Sequence, residues 1–176
     1  MWQKVAFFFA TTFCITSWQK TGAGTWASTI VCLGQMVAFW LGVSTGWMWW
    51  AVALSFALGM CVVESAEAYM YEIWGIRERH TGERADRDYK QTTIDEVHGQ
   101  LLAGLPVFYF SELTIQGAVI FLAISCTFFR ILDIYKPWPV TLAESKSISS
   151  ALSIMLDDTA AGSIAAVITL ILVYIV

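Results

Sequence analysis

Carboxylates stand in three tight groups along this chain, each beside an apolar run. Asp95 and Glu96 are adjacent, just ahead of the apolar stretch 97–110. Asp133 lies three residues from both Arg130 and Lys136, and Asp157 and Asp158 are adjacent ahead of the last apolar run. Such hard oxygen ligands suit magnesium, which takes carboxylate, water and phosphate oxygens and binds only one or two carboxylates directly. An arginine and a lysine flanking an aspartate suit a phosphate held beside that ion. A fourth polar segment, KTGAGT at 20–25, sets Gly22 and Gly24 at the start of a span. Backbone amides at a helix N-terminus can approach an anion there, although no GK[ST] follows to make it a nucleotide-binding loop.

Each group also has a plainer reading. Thr93-Ile94-Asp95-Glu96 fits a capping box, with Thr93 capping and Glu96 reaching back. Arg130, Asp133 and Lys136 share one helix face and could be an interfacial ion pair. Asp157 and Asp158 suit the positive start of a helix, and 20–25 could be a simple flexible turn. Against these, adjacent acids at the edge of a membrane are costly unless paired or metal-bound.

Other chemistries find little support. Cys14, Cys32, Cys61 and Cys126 each lie inside an apolar run with no CxxC spacing, and read as small buried hydrophobes. Cys126 is too close to Arg130 for a cysteine-phosphatase loop. His80 reads as solvated, and His98 as lining the bundle or supporting Glu96. Asp86 and Asp88 lack the hydrophobic strand that precedes a DxD phosphatase motif. Glu64 and Glu67 read as interfacial charges. The net charge of −4 offers no basic surface for nucleic acid.

The elements that must position these groups are membrane helices. Of 176 residues 57% are hydrophobic and only 14% charged, against about 25% charged in soluble domains. Runs at 26–43, 47–63, 115–129 and 160–176 approach the length of about 20 residues that spans a bilayer. The stretch 97–110 is shorter and interrupted by Gly99, Gly104 and Pro106, as in a broken or re-entrant segment covered by protein. Residues 5–15 read as a short retained membrane segment. The turn at 43–46, flanked by Trp40, Trp47, Trp49 and Trp50, predicts a helical hairpin with its tip at a headgroup layer. The sequence therefore predicts a single all-α domain over 1–176, a polytopic helical bundle with four full spans or spans plus a broken segment. Arg77, Arg79, Arg84, Arg87 and Lys90 fall in one loop, and Arg130, Lys136 and Lys146 in or beside another. The positive-inside rule turns both to the cytoplasm. Segment 22–25, the Asp95 end, 133–136 and 157–158 then meet at that face.

Taken together, these segments resemble the phosphatidylglycerophosphatase A family. FRILDIYKPWPV at 129–140, followed by IMLDDTAAG at 154–162, is the strongest part. Asp88 with Ile94-Asp95-Glu96 and Gly99-Gln100 forms a second block, and Gly24-Thr25 with Ser28 a third. The order holds over nearly the whole chain. Departures occur at Ala23, Ala27, His98 and 150–151, and none removes an acid or Lys136.

The resemblance implies magnesium-dependent hydrolysis of the terminal phosphomonoester of phosphatidylglycerophosphate, a lipid substrate, in the bacterial inner membrane with the site facing the cytoplasm. It implies Asp95, Glu96, Asp133, Asp157 and Asp158 as the metal and water-activating set. Arg130 and Lys136 would hold the phosphate, with Gly24 and Thr25 beside it. Attack by water or by an aspartate is compatible with the spacing. A transporter or channel using the acids as an ion path is the alternative, and the nearly charge-free span interiors count against it.

Overall fold

The computed structural model describes residues 1–12, 22–74, 92–138 and 150–175. Cys14, Lys20, Thr21, Lys146 and the loop bearing Arg77, Arg79, His80, Arg84, Asp86, Arg87, Asp88 and Lys90 lie outside the described residues. Within them the elements are α1 (Trp2–Ala10), α2 (Ala23–Trp40), α3 (Thr45–Trp74), α4 (Ile94–Gly104), α5 (Ile115–Tyr135) and α6 (Ser150–Ile175). A 3-10 segment, Leu105–Tyr109, follows α4.

Segments Thr45–Ile73, Ile115–Tyr135 and Ala151–Ile175 are long and apolar enough to cross a bilayer. The 18-residue α2 is about 27 Å long at 1.5 Å per residue, close to a hydrocarbon core. Polarity is distributed as lipid demands. Leu33, Val37, Leu54, Ile120, Val167 and Ile171 face outward, while Gln35, His98, Gln100 and Asp158 are buried. In a membrane the polar groups must find partners inside the bundle. This is an integral membrane protein.

The short broken helix is the centre of the bundle. α4 packs against α6, α2, α3 and α5. It ends at Gly104 because Pro106 carries no N–H to continue the α-helical ladder, and the chain tightens into the 3-10 segment. Two bonds fasten that far end: Thr45 Oγ1 donates to the Phe108 carbonyl at 2.6 Å, and Trp49 Nε1 to Tyr109 Oη at 2.7 Å. The expected hairpin is accordingly changed. The turn between α2 and α3 is short, but the helices splay, and α4 packs against both while they scarcely touch each other. A two-helix contact there would leave the polar α4 facing lipid.

One further expectation is corrected. α6 begins at Ser150, so Asp157 and Asp158 lie two turns inside a helix and do not form its start. Packing sets this boundary: Ala151 and Met155 are buried with Val63 and Ile94. α5 continues to Tyr135, carrying Arg130 and Asp133 on its last turns. α1 lies on α3, with Ala6 and Ala10 seated among Val62, Ala66 and Met70.

Candidate metal and phosphate site

α4 and α6 cross on glycine. A Cβ on Gly162 would lie 2.5 Å from the Gly99 carbonyl oxygen and 3.0 Å from its Cα. One on Gly99 would strike the Phe129 ring and lie 2.9 Å from the Asp158 carbonyl oxygen. Side chains four residues apart share a helix face. Asp95 is four residues before Gly99 and Asp158 four before Gly162, so one turn from the crossing both helices present a carboxylate. Asp95, Glu96 and Asp158 each offer an oxygen, and these atoms all lie within 4.8 Å of one another. Among the described residues, Glu96 Oε2 and Asp158 Oδ2 are buried without a hydrogen-bond partner.

Three carboxylates this close repel one another and oppose shared ionisation. For Glu96, whose helix is outside the three spans, burial and then the Asp95 carboxyl, with Asp158 and Asp133 behind it, push the acid well above the usual carboxylate range. A divalent cation removes that opposition. Bare oxygens, crowded acids and an all-oxygen donor set fit magnesium.

The start of α2 closes one side. Gly22 takes φ +75° as the residue before the helix, a conformation glycine adopts without strain. Gly24 is then pressed against the acids: a Cβ there would collide with Glu96 Oε1 and come 3.1 Å from Arg130 Nη1. The Arg130 fork has a second partner in Thr25, whose hydroxyl accepts from Nη2 at 3.4 Å.

α5 supplies the cations. Arg130 Nη1 pairs with Asp133 Oδ2 at 2.7 Å, both side chains about one-sixth exposed (17%). Lys136 follows the helix with φ +42°, a left-handed conformation that costs a non-glycine residue energy and concentrates at functional sites. Its Nζ donates to Asp157 Oδ2. Lys136 and Asp157 thus tie α5 to α6 beside the triad.

The structure therefore gathers Asp95, Glu96 and Asp158 into one cluster, with Glu96 and Arg130 both against Gly24. Asp133 is held by Arg130 and Asp157 by Lys136. The capping box is not formed, since Thr93 makes no side-chain cap bond. Its hydroxyl meets that of Thr12 at 2.6 Å instead, and Glu96 turns to the cluster. His98 lines the bundle: Nδ1 lies 3.2 Å from the Val52 carbonyl oxygen and 3.1 Å from Ser55 Oγ. Glu64 is exposed as expected, but Glu67 is only 4% exposed. Cys32 is buried, whereas Cys61 faces outward.

Sequence reasoning missed a polar layer deeper between α2 and α4. Gln100 Nε2 donates to Gln35 Oε1 at 3.1 Å, and Gln35 Nε2 to the Leu101 carbonyl at 3.1 Å. The available signal was two glutamines inside apolar runs, which must find each other in lipid.

No curated protein and no solved structure matches the chain. A family model described as phosphatidylglycerophosphatase A matches residues 8–173, a range that includes every residue of the cluster and of both ion pairs. The chain belongs to the phosphatidylglycerophosphatase A family, phosphoric monoester hydrolases acting on phosphatidylglycerophosphate.

Proposed function

We propose that this chain removes the terminal phosphate of phosphatidylglycerophosphate with magnesium held in the cluster of Asp95, Glu96 and Asp158 by one or two of these acids, at the cytoplasmic face of the bacterial inner membrane. The observation that carries the reading is the three-carboxylate cluster with its oxygens within 4.8 Å. Magnesium bound there supplies a Lewis acid for phosphoryl oxygens and lowers the pKa of water.

The chain's own residues do the rest. Arg130 is placed by Asp133 and Thr25 to present donors next to Glu96, where a phosphate beside the ion would need them. Lys136, held on Asp157, adds a second positive charge for the negative phosphoryl group in an in-line displacement. Asp133 and Asp157 orient these two cations. Because magnesium usually takes one or two carboxylates directly, the third acid of the cluster is left to accept a proton from the attacking group. The basic residues at 77–90, with Arg130, Lys136 and Lys146, support the cytoplasmic face.

The test is phosphate release from phosphatidylglycerophosphate by purified protein, with magnesium and with chelator, for wild type and Asp158→Asn. Activity without divalent ion, or full activity in Asp158→Asn, would remove the reading. The expected loss is about a hundredfold or more, the scale of losing a key electrostatic group.

A further inference from the structure

We propose that α1 belongs to the positioning machinery of the site and acts through a buried hydroxyl pair between Thr12 and Thr93. The inference rests on the proposed reading that Asp95 and Glu96 help hold magnesium. It concerns a segment partly outside the matched family range, which begins at residue 8.

The first turn of α4 carries two acids, yet its N-cap residue makes no side-chain cap bond. Helix N-termini leave backbone donors that need partners. Here the partner comes from α1. Thr93 N–H donates to the Ala10 carbonyl at 2.8 Å, and the Thr93 and Thr12 hydroxyls share a hydrogen bond of 2.6 Å. Thr93 is fully buried and Thr12 is 8% exposed.

Thr12 holds φ +47°. A β-branched residue rarely adopts that conformation, and it persists where its surroundings fix it and often serves a site. What fixes it is a docked helix. Thr11 Oγ1 donates to the Phe7 carbonyl at 2.7 Å, Ala6 and Ala10 are sealed against Val62, Ala66 and Met70, and Trp2 Nε1 donates to Ser65 Oγ at 3.0 Å. α1 is therefore clamped to α3 along its length, and its last residue, Ala10, together with Thr12 just beyond it, holds Thr93, two positions before Asp95 and three before Glu96. A shift at Thr93 passes directly to both carboxylates. Thr12 and Thr93 are positioning residues in this scheme and touch no substrate.

The experiment compares Thr12→Val, Thr93→Val, their double variant and Thr12→Ser in one detergent. In metal-free protein, amide exchange over 93–97 should quicken in Thr12→Val while exchange over 155–165 stays as in wild type. Turnover should fall about tenfold, with KM for the lipid within about twofold and a raised magnesium requirement, because small misplacements of a catalytic group can cost up to about a hundredfold. The double variant should be no slower than either single one, since each removes the same contact. Thr12→Ser should restore both exchange and turnover. Additive losses, a Thr12→Ser variant as slow as Thr12→Val, or wild-type turnover in Thr12→Val would each overturn the proposal. Glu96→Gln, measured alongside, separates the two readings. Undiminished turnover in Glu96→Gln overturns the magnesium set, whereas an inactive Glu96→Gln beside an unaffected Thr12→Val overturns the hydroxyl latch alone.

Discussion

Gly162 lies against the backbone of Gly99, with room at neither position for a methyl group, and each stands one helical turn beyond a carboxylate of the site. The contact is backbone to backbone, so no side-chain rotation relieves it. Gly162→Ala should push α6 from α4, costing about 1–3 kcal/mol as overpacking does, and should part Asp158 from Asp95 and Glu96. Gly34→Ala is the control, since a Cβ there meets nothing within 4 Å. Thermal unfolding in detergent together with turnover checks this. Equal behaviour of the two variants would mean that the crossing does not hold the acids together.

Gly24 predicts the opposite balance. Its virtual Cβ meets the mobile end of Glu96 and the Arg130 fork, both of which can move aside. Gly24→Ala should leave the unfolding temperature within a few degrees of wild type, while raising both the magnesium needed for half activity and KM for the lipid. A large fall in unfolding temperature without a magnesium shift would place Gly24 among packing residues only.

The bundle was legible because lipid imposes long apolar runs, and the interruption at Gly104 and Pro106 marks the end of α4. The acids were legible as chemistry, but the sequence could not say which of them meet. That depends on two glycines allowing a backbone crossing, visible only as the shared spacing from Asp95 to Gly99 and from Asp158 to Gly162. Thr93 misled because a capping box describes one helix in isolation, whereas its hydroxyl is claimed by Thr12, in the turn after α1 and 81 positions away. The hairpin misled because a tight turn fixes only the ends of two helices, and the polar α4 then takes the space between them. Lys136 and Asp157, 21 residues apart, meet where Lys136 leaves the helix with a left-handed backbone, which no helical periodicity could announce.

Membrane orientation has a direct check. Ser44 lies in the exposed turn between α2 and α3, the end fastened by Thr45 to Phe108, and the carboxylate cluster lies toward the opposite end of these helices. In a background with the four cysteines replaced by serine or alanine, Ser44→Cys should be labelled from outside intact cells by a membrane-impermeant maleimide. Asp133→Cys should be labelled only after the cells are opened. Labelling of both from outside would place the cluster on the external face.

Lys136 and Asp157 form the contact that separates metal holding from phosphate holding. If Asp157 serves chiefly to aim Lys136, neutralising either residue should have the same consequence. Lys136→Met and Asp157→Asn should each slow turnover or weaken lipid binding, and should leave the magnesium concentration for half activity within about twofold of wild type, since a lysine ligates no cation. The double variant should be little worse than the worse single one, because contacting residues are non-additive. Asp158→Asn should instead shift the magnesium curve, as its Oδ2 is one of the bare oxygens of the cluster. The measurement is activity against magnesium and against phosphatidylglycerophosphate for all four variants in one detergent. A magnesium shift in Asp157→Asn as large as in Asp158→Asn would move Asp157 into the metal set, and Lys136 would then be a counter-charge to the ligands, with no direct part in holding phosphate.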